Sequence, residues 1–275
     1  MKRSQLSFYI LLISTYHYSL AGEIHKNLDF KFKQPKPDQV LNQIQTANEK
    51  YLPRILNVAT WNIQKSQNSE NLKDLLYIVN QHQITLFQEM TDEKRIVTPL
   101  TQQFQQNINY AASFYLTNSN NSTGVMNLSK ATPSWLQFRR SPGRETFVRT
   151  PKMTLIEEYM LSENDRLLVL NIHGLNFVDD QTFKSQINDI TPLLKFYKYR
   201  VLFAGDFNTW NINRINWLKQ RLGEYDLQHI KIDNDNRPLQ LDHFFLRGCQ
   251  LIKSKIFELI TSSDHRPLSI QIDCH

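Results

Sequence analysis

Glycine and cysteine are scarce in this 275-residue sequence, and its apolar runs are short. Seven glycines exclude a glycine-rich or collagen-like chain, and no internal repeat of the length used by solenoids or propellers is present. The two cysteines, Cys249 and Cys274, lie too far apart to build a thiolate metal cluster. By contrast, 40% of the residues are hydrophobic and 11% are aromatic, which supports a packed core and argues against disorder as the main state.

The N-terminus has the pattern of a targeting segment. A basic start precedes an apolar run over residues 6–13, and Ser19 and Ala21 provide the small residues of a cleavage site. We therefore expect a signal peptide over residues 1–21 and a secreted or periplasmic mature protein. No transmembrane segment is expected after cleavage, because the apolar run is too short to cross a bilayer. An uncleaved anchor or a buried first helix is the alternative.

The mature chain stays basic after this cleavage. The formal net charge of +6 loses the two charges of Lys2 and Arg3 with the signal and becomes +4. A positive charge suits a polyanionic partner. In an exported protein Cys249 and Cys274 can form a disulfide, which would close about 25 residues and stabilise the fold by roughly 3 kcal/mol. Two buried free thiols are the alternative.

Residues 22–52 are polar and are predicted to form an N-terminal extension, in which Val40, Leu41 and Ile44 would line one side of a short helix. Residues 53–275 are predicted to form one domain of interleaved strands and helices. One helix is capped by Ser69, and a second has apolar residues at helical spacing from residue 183 to residue 194. Strands are predicted at 55–63, 84–87, 110–116, 124–128, 167–172, 201–204, 241–246 and 268–272.

Polar side chains recur at the ends of these apolar strands. A carboxylate directly behind a hydrophobic strand is costly unless it is paired or binds a metal. Each element alone is more typical of a turn or a solvated strand end, but six of them in one chain suggest convergence on one pocket. They are Asn62, Gln88-Glu89, Asn171-x-His173, Gly205-Asp206-x-Asn208, Asp242 and Ser263-Asp264-His265.

In this order and at these intervals, the motifs resemble the endonuclease/exonuclease/phosphatase superfamily, the deoxyribonuclease I-like group. The resemblance covers about residues 55–273. The segments 149–152 and 171–177 look most similar to a bacterial subfamily of exported or membrane-associated members. The resemblance implies an α/β fold: a four-layered α/β sandwich, with two facing mixed sheets flanked by helices, and a catalytic domain over residues 53–275.

The resemblance also implies a metal site and a base. Glu89 would be the main ligand of Mg²⁺ or Mn²⁺, with Asn62 beside it and Asp264 completing the site. Carboxylate and amide oxygens suit these hard cations. Asp206 would orient and deprotonate the attacking water, and Asn208 would hold that water or a phosphate oxygen.

Two histidines would act on the phosphate. His265, with its tautomer fixed by Asp242, would stabilise the developing charge, and His173 would donate a hydrogen bond or proton to an oxygen. In deoxyribonuclease-like members an upstream carboxylate often supports the first histidine, but residues 110–130 contain no Asp or Glu. His243 is predicted to be structural, because alternation along its strand points it away from Asp242.

Residues 130–152 are basic, with six Lys or Arg side chains and one Glu, and they include Trp135 and Phe138. This composition suits phosphate binding and base stacking, or equally an edge strand that its charges protect from aggregation. Arg149 and Lys152 are the phosphate-contact candidates here, and the resemblance adds Asn176.

The expected activity is metal-dependent phosphodiester hydrolysis by a secreted, monomeric nuclease that acts on DNA. One alternative is a phosphoesterase acting on a phospholipid or another small phosphoester. A long apolar loop would favour a lipid substrate, and the sequence shows none. A catalytically inactive binding or toxin subunit is the other alternative, but inactive relatives tend to lose at least one catalytic residue. Fold alone does not choose among substrates.

Overall fold

The computed structural model describes residues 32–66, 70–116 and 120–274. The predicted signal peptide and the predicted helix cap Ser69 lie outside the described residues. The helices are α1 (Pro37–Val40), α2 (Asn71–Gln81), α3 (Lys94–Gln103), α4 (Asp180–Phe196) and α5 (Ile212–Gly223), and a 3₁₀ turn spans Gln64–Ser66. The strands are β1 (Leu41–Gln45), β2 (Ile55–Asn62), β3 (Ile84–Thr91), β4 (Asn107–Tyr115), β5 (Ser122–Ser129), β6 (Trp135–Arg140), β7 (Met153–Met160), β8 (Arg166–His173), β9 (Arg200–Asp206), β10 (Gln228–Ile230), β11 (Asp242–Arg247), β12 (Gln250–Ile256) and β13 (Leu268–Asp273).

The strands form two mixed sheets. Sheet I has the order β1-β4-β5-β3-β2-β13-β12, and sheet II has the order β10-β11-β9-β8-β7-β6. The pairs β2–β3 and β8–β9 are parallel. Apolar side chains from β2, β3 and β13 meet those of β8, β9 and β11 in one core between the sheets.

Helices cover the outer face of each sheet. Leu75, Ile78 and Val79 of α2 pack with α3 on sheet I, because apolar residues at this spacing form one face of a helix. Ile187 and Leu194 of α4 pack with α5 on sheet II. The predicted four-layered sandwich of two mixed sheets flanked by helices is therefore confirmed.

Several elements differ from the sequence-based expectation. The helix predicted to include Leu41 and Ile44 is wrong, because the helix ends at Val40 and residues 41–45 pair with β4 as an edge strand. Strand β5 begins at Ser122, two residues before the start of the strand predicted over residues 124–128. Strands β7, β10 and β12 were not predicted. β12 is an exposed edge strand, and its mostly polar sequence lacks a strand pattern.

The basic, aromatic stretch contains the edge strand β6 of sheet II. This position favours the edge-strand interpretation of residues 135–140. Phe138 packs against the cluster of Val40, Ala111 and Leu155. This packing favours a structural role for its ring over stacking on a base.

Strand direction brings the polar strand ends together. Since β2 and β3 are parallel, Asn62 and Gln88 pair at one end of sheet I; β8 and β9 pair His173 with Asp206 in the same way in sheet II. Antiparallel β11 begins with Asp242 opposite Asp206, and β13 begins just after the Ser-Asp-His motif.

The predicted disulfide between Cys249 and Cys274 is confirmed. It links the residue before β12 to the residue after β13, next to the apolar core. No helix within the described ranges 32–66, 70–116 and 120–274 is long and apolar enough to cross a membrane.

Candidate active site

Glu89 lies at a β-bulge. The pairing of β3 with β5 shifts between Gln88 and Met90, and Glu89 has a φ of 52°. The left-handed region is uncommon for such a residue, and bulges next to active sites re-aim side chains. Gln88 points between the sheets, where its amide donates to Asn171 Oδ1 at 2.6 Å.

Lys65 is the first partner of Glu89, with its Nζ 2.7 Å from Glu89 Oε2. Burial opposes ionisation of Glu89, but the charges of Lys65 and Lys152 outweigh burial and lower its pKa well below the usual value. Lys65 was missed from the sequence because it follows Asn62 in a short turn, where a lysine is usually a solvated side chain.

Asp206 connects the two sheets within the site. Asn62 Nδ2 donates to Asp206 Oδ2 at 2.9 Å, and Asn208 donates to Asp206 Oδ1 from its backbone amide at 2.9 Å. Gly205 precedes it with a φ of 137°, and a Cβ there would lie 2.1 Å from Ile172 O, so only glycine fits. Burial raises the pKa of Asp206 to about 6.

His265 and Asp242 form a pair on the other side of Asp206. His265 Nδ1 lies 3.0 Å from both oxygens of Asp242. Burial lowers the pKa of His265, but the charge and hydrogen bond of Asp242 outweigh burial and raise the pKa to about 10. The histidine is therefore protonated at neutral pH, with Nε2–H left to face a substrate.

Arg237 is a second residue that the sequence did not reveal. It binds Asp235 through two parallel hydrogen bonds of 2.9 Å and donates to Asp242 Oδ2 at 2.7 Å. Burial opposes ionisation of Asp242, but His265 and Arg237 outweigh it and lower its pKa to about 2. Arg237 lies in the irregular segment before β11, so no strand pattern marks it.

His173 lies between the two carboxylates that face each other across the site. Its Nε2 is 3.7 Å from Glu89 Oε1 and 3.7 Å from Asp206 Oδ2. Burial, reinforced by the charge of Lys152, lowers the pKa of His173 well below its ordinary value. A neutral imidazole in this place can donate a hydrogen bond but holds no surplus proton.

The remaining candidates lie around this cluster. Asp264 is exposed and its Oδ1 accepts from Ser263 at 3.2 Å. Lys152 is buried, with its Nζ 3.2 Å from Glu145. Asn176 is half-buried and accepts from Trp210.

Arg149 and His243 lie outside the cluster. Arg149 is exposed in the loop before β7, where its main chain closes a turn with Glu145. His243 faces away from Asp242, as its predicted structural role requires. Its Nε2 bonds to Thr209 at 2.7 Å, and its Nδ1 lies 3.1 Å from His229.

A divalent cation fits the Glu89 side of this site best. Lys65 shows that this position attracts a positive charge, because Glu89, Glu145 and Asp264 all favour its ammonium form. Oxygen donors of this kind suit Mg²⁺ or Mn²⁺. Asp206, Asp242 and His265 also lie close enough together to hold an ion, but there Arg237 and protonated His265 already balance the two carboxylates.

The arrangement has the parts that phosphoester hydrolysis requires. One buried carboxylate has its pKa raised towards neutrality, whereas a histidine next to it is held protonated. Environments that push two pKa values apart in this way separate a proton acceptor from a charged donor. Asp206 is the acceptor, and His265 is the donor.

Known proteins share this sequence pattern and fold. The profile of the Endonuclease/Exonuclease/phosphatase family matches residues 59–265. A UPF0294 protein of Vibrio campbellii is 33% identical over 229 residues, covering 78% of this chain and 76% of that protein. The crystal structure of an endonuclease/exonuclease/phosphatase from Beutenbergia cavernae superposes with a TM-score of 0.64 at 12% identity, covering 80% of this chain and 72% of that one. ANGEL2, a 2',3'-cyclic phosphatase, superposes with a TM-score of 0.59 at 11% identity, covering 89% and 99%.

The two structural similarities support the fold alone, at identities this low. The profile match is stronger evidence, because it extends from β2 to His265 and so contains every residue of the cluster described above. The chain therefore belongs to the endonuclease/exonuclease/phosphatase family of phosphoester hydrolases.

Proposed function

We propose that this protein is an exported, divalent-metal-dependent phosphodiesterase that cleaves DNA. The observation that carries the proposal is the meeting of the Asn62–Asp206 and Asp242–His265 pairs at one end of the two sheets, with polar side-chain atoms of Asp206, Asp242 and His265 within 4.8 Å of one another. Family membership supports phosphoester chemistry, and the formal net charge of +4 left after removal of Lys2 and Arg3 with the signal supports a polyanionic substrate.

The chain's own residues perform the proton and charge steps. Asp206 accepts a proton from the attacking water, which Asn208 helps to hold. As the water oxygen bonds to phosphorus and the bond to the leaving oxygen breaks, His265, kept protonated by Asp242, stabilises the charge on the phosphoryl oxygens and supplies a proton to the leaving oxygen. His173 donates a hydrogen bond to an oxygen of the phosphate. A divalent cation held by Glu89, Asn62 and Asp264 would polarise the phosphate as a Lewis acid.

Export is supported by two independent features. Residues 1–21 have the signal pattern, and the Cys249–Cys274 disulfide suits an oxidising compartment such as the periplasm or the extracellular space. We propose that the mature chain acts as a monomer in one of these compartments.

The test is plasmid nicking by the purified mature protein with Mg²⁺, with Mn²⁺ or with EDTA. We expect nicking with a cation, none with EDTA, and a loss of about a hundredfold or more in His265→Ala. The matched control is His229→Gln, a histidine on β10 that contacts His243 and not the cluster.

A folded, cation-binding protein that does not nick DNA would contradict the nuclease proposal. The second candidate is a phosphoesterase acting on a small phosphoester. The fold is shared with ANGEL2, a 2',3'-cyclic phosphatase, and fold alone does not choose among substrates. Ring opening of nucleoside 2',3'-cyclic phosphates to nucleoside monophosphates, and release of a headgroup or a lipid alcohol from phospholipids, would separate these substrates.

A further inference from the structure

Three aromatic side chains form a row on the loops beside the candidate active site. Phe177 stacks on Trp210, with ring centroids 5.6 Å apart and planes inclined by 25°, and Phe147 meets Phe177 edge to face at 6.4 Å. Phe147 is 78% exposed and Phe177 is 50% exposed. These three side chains, the aromatic row, take no part in the chemistry proposed above.

Hydrogen bonds hold the row in place. Asn176 Oδ1 accepts from Trp210 Nε1 at 2.5 Å and from the Phe177 amide at 2.8 Å. Thr146 Oγ1 donates to the Phe177 carbonyl at 2.6 Å, which joins the loop before β7 to the loop after β8. One hydrogen bond therefore joins the loop of Phe147 to the loop of Phe177, and another fixes the Trp210 ring to Asn176.

The backbone conformation of Phe177 is energetically unfavourable, and its side chain is not buried in the core. Its φ is 49°, in the left-handed region that bulky residues rarely adopt, and half of its side chain faces solvent. Such outliers concentrate at functional sites, where the surrounding structure holds them. Exposed aromatic area that the fold does not need is typical of a binding surface.

The row adjoins the reacting groups. The loop carrying Phe177 begins directly after His173, and the loop carrying Trp210 begins directly after Asp206 and includes Asn208. Asn208 Nδ2 donates to the Gly174 carbonyl at 2.9 Å and so fixes one loop to the other. Arg144 and Arg149 are exposed on the same loop as Phe147, so this loop carries two positive charges as well as an aromatic ring.

We propose that the aromatic row is a stacking subsite for an unpaired nucleobase beside the scissile phosphate, with Arg144 and Arg149 facing the adjoining phosphates. The inference rests on the proposed nuclease function and narrows its substrate to single-stranded or locally opened nucleic acid. Aromatic side chains stack on any base, and cations beside them attract the backbone. Paired bases inside a duplex offer no free face to the row.

The test is the binding of a fluorescent single-stranded oligonucleotide in EDTA, measured by anisotropy, so that cleavage does not interfere. A second oligonucleotide of equal length and charge has abasic sites at its central positions. Phe147→Ala and Phe177→Ala are the test variants. Phe196→Ala is the matched control, because Phe196 is 75% exposed but lies at the end of α4.

We expect Phe147→Ala and Phe177→Ala to weaken binding of the normal oligonucleotide about tenfold, with Phe196→Ala unchanged. The abasic oligonucleotide should bind wild type about as weakly as the variants bind the normal one. Phe147→Ala keeps the test valid if Phe177→Ala does not fold, since the Phe147 ring is mostly in solvent.

Three results would overturn the proposal. The first is no binding of the oligonucleotide by wild type, and the second is an unchanged affinity in Phe147→Ala. The third is a loss of affinity in the row variants, relative to wild type, that is as large on the abasic oligonucleotide as on the normal one. Binding to vesicles of equimolar phosphatidylcholine and phosphatidylglycerol that only the row variants lose would also overturn it, in favour of membrane contact. If any of these results is obtained while wild type still nicks plasmid, only the stacking subsite is contradicted and the nuclease function stands. If wild type does not nick plasmid either, both the subsite and the nuclease function are contradicted.

Discussion

The inward faces of the central strands are apolar at one end and polar at the other. Along β8 the inward side chains run Leu167, Val169, Asn171 and His173, and along β9 they run Leu202, Ala204 and Asp206. The same change occurs from Leu56 to Asn62 in β2, from Ile84 to Gln88 in β3 and from Leu246 to Asp242 in β11. We call these regions the apolar half and the polar half.

The comparison shows how one strand geometry provides both stability and chemistry. In a strand, every second side chain points to the same face. In each of these strands two or three inward side chains are apolar and lie in the core, and the next inward side chain along the strand lies in the site. The apolar half supplies burial, the main favourable term in folding. The polar half carries the desolvation penalties of Asn171, Gln88, Asp206 and Asp242, offset by hydrogen bonds between the sheets.

The polar contacts between the sheets continue beyond the site to a buried carboxylate, Glu157. Glu157 of β7 accepts from Asn109 at 2.6 Å, from Asn127 at 2.8 Å and from Tyr159. Burial raises the pKa of Glu157. Asn127 Oδ1 in turn accepts from Asn171 at 2.7 Å, so an unbroken chain of polar contacts leads from Glu157 to Gln88, next to Glu89.

The largest effect should come from removing the base in the polar half. Asp206→Asn should lower the rate of phosphodiester cleavage about a thousandfold, because a positioned general base typically contributes that much. Steady-state nicking or oligonucleotide cleavage measures this. Asp189→Asn, an exposed carboxylate on α4, is the control. A variant with near-normal activity would assign the base to another residue.

His265→Gln should reveal the pH dependence of the Asp242 pair. The folded pKa of His265 is about 10, above the ordinary value of about 6.5. The stabilisation is therefore fully present below about 6.5 and is lost as the pH rises through about 10. Breaking such a buried pair should cost about 3–5 kcal/mol of unfolding free energy at low pH.

Urea unfolding of wild type and His265→Gln at pH 6, 8 and 10 tests this dependence. The difference in unfolding free energy between the two proteins should shrink steadily across the series. A difference that stays constant with pH would show that His265 is not held protonated by Asp242.

A substitution in the apolar half should affect stability without affecting chemistry. Leu202→Ala removes a fully buried side chain of β9 and should lower the unfolding free energy by about 2–5 kcal/mol. Cleavage per folded molecule should stay within about twofold of wild type, since Leu202 lies two inward positions from Asp206. Activity that falls further in fully folded protein would contradict the separation of the two halves.

Asn171→Leu should produce the smallest loss of stability, and it should also lower the rate of cleavage. It removes the amide that contacts Gln88, Asn127 and the Phe87 carbonyl, which should cost about 1–3 kcal/mol. Cleavage should fall modestly, about tenfold by loss of a catalytic hydrogen-bond geometry, because the bulge at Glu89 loses support. Unchanged kcat with only lowered stability would show that the network is structural.

Much of the fold could be predicted because the central strands carry a strong local signal. β8 and β9 are continuous apolar runs buried on both faces, and α4 has regular helical spacing. The weakly patterned edge strands β1 and β12 could not be predicted, since only pairing with a neighbour makes them strands. Leu41 and Ile44 fit a helical spacing equally well until β4 is placed beside them.

The site residues also divide into those that a local sequence pattern marks and those that only tertiary contacts bring to the site. Glu89, Asp206 and His265 could be identified because each follows or precedes an apolar strand in a recognisable order. Lys65 and Arg237 could not, since they lie in irregular segments and acquire their partners only when distant parts of the chain meet. The aromatic row was missed for the same reason, and Phe138, which the sequence offered as a stacking residue, is taken up by packing.

The sequence by itself determined the strand core, the set of polar strand ends and the family, because these depend on local periodicity and on the order of motifs along the chain. Tertiary structure alone decided how those residues interact. Burial and neighbouring charges set the protonation of Asp206, His173 and His265. The folding of loops onto the sheets placed Lys65 on Glu89 and Phe147 against Phe177. Protonation and contact depend on distances in space, which separation along the chain does not specify.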